Sequence, residues 1–265
     1  MALDPQLLAV AIEAALAAGQ IQRQYFRHEF SIRKKGTIDL VTEADLAVER
    51  DIRERIAWHF PSHTVLGEEG AQSSPTSASP FRWIVDPIDG TTNFAHGLAL
   101  FCVSIGLEID GRVALGVIYE PIGNELFTAE RGEGARLNGT RIHVTQESSL
   151  IDSLLVTGFP YTASDARREQ LDIFEAFLAR SRAVRRLGSA ALDLANVAAG
   201  RFEGFWEQGL HPWDVAAGAL LVEEAGGTVS GFGGEAFDVF VPEIVATNGA
   251  VHPRVLEVIG AIRRG

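Results

Sequence analysis

The sequence predicts a mixed α and β protein built from two subdomains, an α+β arrangement over residues 1–148 and an α/β arrangement over residues 149–265. Three observations carry this. In the N-terminal subdomain, a pair of helix-like stretches precedes a run of strand-like segments joined by tight turns. In the C-terminal subdomain, strands and helices alternate at a spacing that suggests crossover connections. No internal repeat or flexible linker separates the subdomains, so they are expected to share one interface, which is a favoured place for a site.

The chain opens with Asp4-Pro5, a cap followed by proline at the first helical position. Leu8, Ile12, Ala15, Gly19, Gln22 and Phe26 then recur at spacings of three and four, predicting one long helix with a small-residue face. After the basic stretch Arg33-Lys34-Lys35-Gly36, the segment 39–45 opens a second helix. Thr42 and Asp45 form its capping-box pattern, and Leu46, Ile52, Ile56 and Phe60 supply its apolar side. Residues 64–67 read as a strand ending in Glu68-Glu69-Gly70, and 71–80, rich in Ser and Pro, as a surface loop. Trp83-Ile84-Val85 reads as a short buried strand that stops at Asp86-Pro87, where proline cannot donate to a ladder. Gly90 permits a sharp turn, and Thr91-Thr92-Asn93 suits a helix start. Runs at 98–109, 113–119 and 125–129 form an antiparallel meander through turns at Asp110-Gly111 and Ile122-Gly123-Asn124, with a further turn at Asn138-Gly139. Beyond that, strands are expected at 154–157, 183–187, 202–206, 228–229 and 244–246. Helices are expected at 165–179, 189–199, 213–225 and 251–262.

Composition narrows the function. Apolar residues make up 46% and charged residues 22%, as in an ordinary soluble globular protein. A formal net charge of −12 argues against nucleic acid or an anionic membrane as the main partner. It leaves phosphate open, because a site holding acids and bound cations is locally positive. Cys102 is the only cysteine, so no intramolecular disulfide forms and a reducing, cytoplasmic setting is expected. The Ala/Leu-rich start lacks a basic flank and carries Asp4 and Glu13, which reads as a helix of the mature protein rather than a signal peptide. No apolar run reaches the length of a membrane span.

The chemistry centres on 83–94. Its strand delivers Asp86, with Asp89 three residues on, and the turn at Gly90 opens a run of backbone N–H groups toward the same volume. Two carboxylates there call for a divalent cation, and the N–H groups for an anion. A capped Asx-type turn satisfies the same residues. Glu68-Glu69 reads as a second acidic station or as a solvated pair. Asp214, in His211-Pro212-Trp213-Asp214, reads as a third station or as an acid stabilising the dipole of its helix. The Ala216-Ala217-Gly218-Ala219 surface after it lets another backbone approach closely. Together the three stations supply what oxygen-ligated Mg²⁺ requires. Competing chemistries lack their signatures: the seven histidines show no HExxH, one cysteine excludes a Cys-based zinc site, and GxSxG, GxxxxGK[ST] and GxGxxG are absent.

Gly67-Glu68-Glu69, the segment from Trp83 through Asp86-Pro87-Ile88-Asp89-Gly90-Thr91-Thr92-Asn93 to Phe94, and Trp213-Asp214-Val215-Ala216-Ala217-Gly218 resemble, in order and spacing, the signature motifs of the inositol monophosphatase family. The segments 39–45 and 124–129 resemble further family segments, so the likeness spans nearly the whole chain. The resemblance implies a five-layer αβαβα sandwich, Mg²⁺-dependent phosphomonoester hydrolysis with two to three ions per site, sensitivity to Li⁺, and a homodimer. It implies that Glu68, Asp86 and the Ile88 carbonyl hold one ion, that Asp86, Asp89 and Asp214 hold a second, and that Glu68 touches a third. Glu68 and Thr91 would activate a water, with Asp45 orienting Thr91. The N–H groups of Gly90 and Thr91 would hold phosphate oxygens, and no phosphoenzyme would form. Gly188, Ser189, Ala190 and Glu207, with Asp89 and Asp214, would meet the hydroxyls of the alcohol. Glu207 is read as following a strand end, and a carboxylate accepting vicinal hydroxyls suits a polyol; an exposed loop acid is the alternative. Inositol 1-phosphate is thus the leading substrate, with a broad sugar and polyol phosphate range. Fructose 1,6-bisphosphate, 3′-phosphoadenosine 5′-phosphate and histidinol phosphate are the alternatives. Thr92 stands where the nucleotidase and histidinol-phosphate groups tend to carry lysine. Some bacterial members also resemble a protein that binds RNA polymerase, which leaves an additional non-catalytic role as a second class of function.

Overall fold

The computed structural model describes residues 3–26, 32–34, 40–70, 79–159 and 164–264. Helix α1 (Pro5–Tyr25) begins where the Asp4 side chain accepts the Gln6 N–H, and its small-residue face lies close enough to the sheet that a Cβ on Gly19 would overlap the Tyr119 ring. A strand pair, β1 (Ile32–Lys34) and β2 (Leu40–Thr42), precedes helix α2 (Glu43–His59), whose Thr42/Asp45 capping box forms as the sequence predicts. The sequence does not signal this pair, because three-residue strands carry too little periodicity.

Seven strands follow in spatial order: β3 (Thr64–Gly67), β4 (Phe81–Asp89), β5 (Cys102–Ile109), β6 (Arg112–Glu120), β7 (Glu125–Glu130), β8 (Gly134–Leu137) and β9 (Thr140–Arg141). Strands β3 and β4 are parallel, and the other neighbours are antiparallel. The short helix α3 (Thr91–Ala95) leaves β4 at the site. Helices α4 (Ser164–Leu178), α5 (Ala190–Ala198), α6 (Pro212–Glu224) and α7 (His252–Arg264) accompany a second sheet of β10 (Leu154–Thr157), β11 (Ala183–Arg185), β12 (Gly204–Gln208), β13 (Thr228–Ser230) and β14 (Glu243–Thr247). Its order is β11-β10-β12-β14-β13.

Alternation along the strands builds the layers. On β4, Trp83 and Val85 join the cluster under α1 and α2, whereas Ile84 joins the cluster of α5 and α6. On the second sheet, Val156, Phe205 and Ala246 face that same middle layer, whereas Leu155, Trp206 and Val245 pack on Phe177, Val255 and Ile259 of α4 and α7. The result is the expected five-layer αβαβα sandwich. The small residues after Asp214 do allow close approach: a Cβ on Gly116 would lie 2.8 Å from the Ala217 carbonyl oxygen, and one on Gly218 would lie 2.6 Å from the Leu194 Cβ.

Three expectations are corrected. Strand β4 does not end at Pro87; it continues to Asp89, which pairs with Cys102, and a register shift between Asp86 and Asp89 absorbs the proline. Strand β5 begins at Cys102 rather than at 98, because Phe101 instead packs with Phe94, Ile88 and Phe26 around the start of α3. Strand β12 runs through Gln208, so Glu207 lies within the strand rather than after it. Residues 71–78 of the expected loop, and Lys35, Gly36 and Asp39, lie outside the described residues. Among the described residues no helix is long and apolar enough to cross a membrane.

Candidate active site

Asp86, Asp89 and Asp214 come together from β4 and α6. Each offers a carboxylate oxygen within 4.8 Å of the other two. Asp86 and Asp89 are 2% and 8% exposed. Local structure fixes each one. The Ile88 N–H donates to Asp86 Oδ1 at 3.0 Å. Asp89 Oδ2 accepts the Ser189 hydroxyl and the Ala191 N–H, both at 2.6 Å, so the positive end of α5 points at this acid. Asp214 Oδ2 accepts the His211 N–H at 2.7 Å, closing a capping box at the start of α6. Asp214 therefore both caps α6 and stands beside Asp86 and Asp89.

Burial, and then the neighbouring acids, push all three carboxyls above the usual range. No lysine or arginine among the described residues forms an ion pair with any of them. Converging oxygen donors, two of them buried and none in an ion pair among the described residues, fit a hard divalent cation.

Glu68 stands half-buried just past β3, and its charge raises Asp86 and Asp45. Helix α2 holds the backbone on either side of it. Glu49, 3% exposed, accepts the Glu69 N–H at 2.7 Å, and Arg53 bonds both Glu49 and the Val65 carbonyl. Sequence reasoning missed Glu49; its signal was an acid on the buried side of a helix, four residues before an arginine. The Thr91 hydroxyl lies 2.9 Å from the Ile88 carbonyl and 3.4 Å from Asp45 Oδ1. Asp45 Oδ2 meanwhile takes the Thr42 N–H and hydroxyl, so this buried acid both caps α2 and reaches Thr91. Burial drives its pKa up to about 6, with the Thr42 bonds opposing and Glu68 adding. Gly90 turns the chain into α3 at φ 97°, where a Cβ would also lie 2.8 Å from the Leu100 carbonyl oxygen.

On α3, the Asn93 amide donates to the Leu100 and Leu187 carbonyls at 2.8 and 2.9 Å, tying that helix to the Gly188 loop. Ser189 and Ala190 are buried at the start of α5, and the Ser189 hydroxyl is committed to Asp89. The Glu207 carboxylate lies on the Cα of Gly158, where any Cβ would overlap it. Burial, with Asp214 and Asp89 adding, pushes Glu207 up to about 8 against the opposing charge of Arg186. Asp193, which sequence reasoning missed, is 1% exposed on α5, and burial followed by the Glu207 charge raises its pKa. Its Oδ1 has no hydrogen-bond partner among the described residues. The available signal was an acid inside the apolar run Ala190-Ala191-Leu192-Asp193-Leu194.

The sequence model of the inositol monophosphatase family matches residues 4–264. The chain is 44% identical over 255 residues to inositol-1-monophosphatase of Synechocystis sp., covering 96% of this chain and 88% of that protein. It is 42% identical over 260 residues to Nus factor SuhB of Escherichia coli, covering 97% and 96%. The crystal structure of extragenic suppressor protein suhB from Bartonella henselae superposes with a TM-score of 0.92 at 39% identity, covering 96% of this chain and 98% of that one.

Proposed function

The chain belongs to the inositol monophosphatase family and is a phosphatase, and on that premise we propose that it hydrolyses inositol 1-phosphate and related polyol phosphates with Mg²⁺ as cofactor. The observation that carries this reading is the convergence of the Asp86, Asp89 and Asp214 carboxylates, two buried and one partly buried, within 4.8 Å of one another. Glu68, Asp86 and the Ile88 carbonyl would hold one ion, Asp86, Asp89 and Asp214 a second, and Glu68 a weaker third. Bound there, the ions supply Lewis-acid activation of water and stabilisation of charge on the leaving oxygen.

The chain's own groups do the rest. Glu68 takes the proton of the attacking water, and Thr91, its hydroxyl hydrogen directed to the Ile88 carbonyl or Asp45, accepts a hydrogen bond that orients that water. The N–H groups of Gly90 and Thr91, at the turn into α3, hold phosphate oxygens. Attack by water in line with the leaving alcohol needs no phosphoenzyme. Glu207 and the 188–190 segment, with Asp89 and Asp214, face the alcohol, and the Glu207 carboxyl at that end accepts hydrogen bonds from the hydroxyls of a polyol. Li⁺ sensitivity, a homodimeric state, a cytoplasmic setting and a working division into subdomains 1–148 and 149–265 belong to the same proposal.

The test is phosphate release from inositol 1-phosphate with and without Mg²⁺. Mg²⁺-dependent turnover supports the reading, and its absence on every phosphate monoester tried contradicts it. A second, non-catalytic reading finds support in the 42% identity to a Nus factor. Capture of RNA polymerase from lysate by an Asp86→Asn variant would support that role, and loss of all capture would remove it.

A further inference from the structure

Gln22 lies on α1 and is fully buried. Its Nε2 donates to the Pro87 carbonyl at 2.8 Å, across 65 residues of sequence. The partner sits in the irregular segment of β4. There the ladder with β5 pairs Asp86 with Ser104 and Asp89 with Cys102, leaving Pro87 and Ile88 without partner residues.

Buried backbone groups outside a ladder need partners of their own. Pro87 has no N–H, so this segment presents three such groups. The Ile88 N–H goes to Asp86 Oδ1 at 3.0 Å, and the Ile88 carbonyl accepts the Thr91 hydroxyl at 2.9 Å. Both bonds come from within the motif. The Pro87 carbonyl is satisfied from outside it, by Gln22.

The Pro87 carbonyl and the Ile88 N–H are the two ends of one planar peptide unit. Gln22 and Asp86 therefore clamp that plane from opposite ends, and its orientation decides where the next carbonyl, that of Ile88, can point. The Gln22 amide also bears a cost: its Oε1 has no partner among the described residues. Turning the amide over would set two oxygens against each other, so the donor orientation is the favourable one. An apolar side chain of similar size would avoid the orphaned oxygen but would leave the Pro87 carbonyl unmet.

We propose that Gln22 is a positioning residue for the metal site, holding the Pro87-Ile88 peptide so that the Ile88 carbonyl and the flanking Asp86 and Asp89 carboxylates keep a common ligating geometry. This rests on the reading of those three residues as ligands. The site's outermost support is then on α1, in the layer beyond the sheet.

The test is Mn²⁺ binding to the full-length protein, read from the electron paramagnetic resonance signal of free Mn²⁺, alongside the melting temperature. Gln22→Leu and Gln22→Met both remove the donor, and Gln22→Met adapts more easily to the cavity. Each is expected to bind Mn²⁺ about tenfold more weakly, the usual effect of losing a group that supports a ligand. Leu7→Ala, a cavity in the same helix far along the chain from Gln22, is expected to lower the melting temperature and leave Mn²⁺ affinity unchanged. Wild-type Mn²⁺ affinity in the two Gln22 variants, or an equal loss in Leu7→Ala, overturns the proposal. Asp86→Asn separates the two levels of the argument. If it binds Mn²⁺ as the wild type does, the ligand reading fails and the role of Gln22 fails with it. If it abolishes binding while the Gln22 variants do not weaken it, only the role of Gln22 fails.

Discussion

Replacing Asp86 with Asn separates stability from chemistry at a single atom. Asp86 is 2% exposed, and its carboxylate lies within 4.8 Å of those of Asp89 and Asp214. At that distance and an effective dielectric constant of about 20, each ionised pair repels by about 3 kcal/mol. Burial and the neighbouring charges push these carboxyls upward, toward their uncharged forms, which lowers the repulsion actually present. The relief on substitution is correspondingly smaller, about 1–2 kcal/mol. The Asn carbonyl keeps the acceptor that holds the Ile88 N–H at 3.0 Å, and its amide adds a donor beside the remaining acids. In EDTA the variant is therefore expected to melt about 4 °C above the wild type, given about 2–4 °C per kcal/mol for a chain of this size. Mg²⁺ at about 100 times its dissociation constant stabilises the wild type by about 2.7 kcal/mol, and the variant negligibly. Scanning calorimetry with and without Mg²⁺, paired with phosphate release, reads both effects. A variant that melts below the wild type in EDTA would refute the repulsion argument. One that keeps the Mg²⁺ shift and the turnover would refute the ligand assignment.

Other substitutions probe the rest of the site and its packing. Glu207→Ala is expected to raise KM for polyol phosphates far more than for an aryl phosphate, and equal changes on both would exclude a substrate contact. Glu207 also controls a pH dependence. Because its pKa rises from 4.5 to about 8 in the fold, its contribution to stability is full below 4.5 and is lost as pH rises through 8. Metal-free protein should thus melt progressively lower between about pH 5 and 8.5, and Glu207→Gln should flatten that slope; an unchanged slope contradicts the assignment. Asp45, raised from 3.8 to about 6, acts in the same direction at the lower end of the range. Gly218→Ala places a methyl group 2.6 Å from the Leu194 Cβ between α5 and α6. It is expected to cost about 1–3 kcal/mol by chemical denaturation, and wild-type stability would show that the two helices separate freely.

Asp86 and Asp214 were legible because local signals mark them, a strand running into Asp86-Pro87 and proline followed by Asp214 at a helix start, and the Thr42/Asp45 capping pattern was equally local; Glu68-Glu69 carried only its place at a strand end. The close approach at α6 was legible too, since the run Ala216-Ala217-Gly218-Ala219 has few other uses in a buried helix, although its partners were not. What stayed hidden is tertiary. Strand β4 passes Pro87 through a register shift that depends on β5, not on its own residues. Gln22 falls on the predicted buried stripe of α1, yet nothing near it in sequence indicates that its amide meets residue 87. Glu49 and Asp193 are acids on otherwise buried faces. Their meaning comes from the backbone of Glu69 and the carboxylate of Glu207, which only the folded chain brings near.

The most direct measurement is the initial rate of phosphate release as a function of Mg²⁺ on inositol 1-phosphate, fructose 1,6-bisphosphate, 3′-phosphoadenosine 5′-phosphate and histidinol phosphate. Saturable, Mg²⁺-dependent turnover led by inositol 1-phosphate, and absent in Asp214→Asn, is the predicted result. Turnover that is indifferent to Mg²⁺, or that survives in Asp214→Asn, would contradict the claim that these three carboxylates form the catalytic metal site.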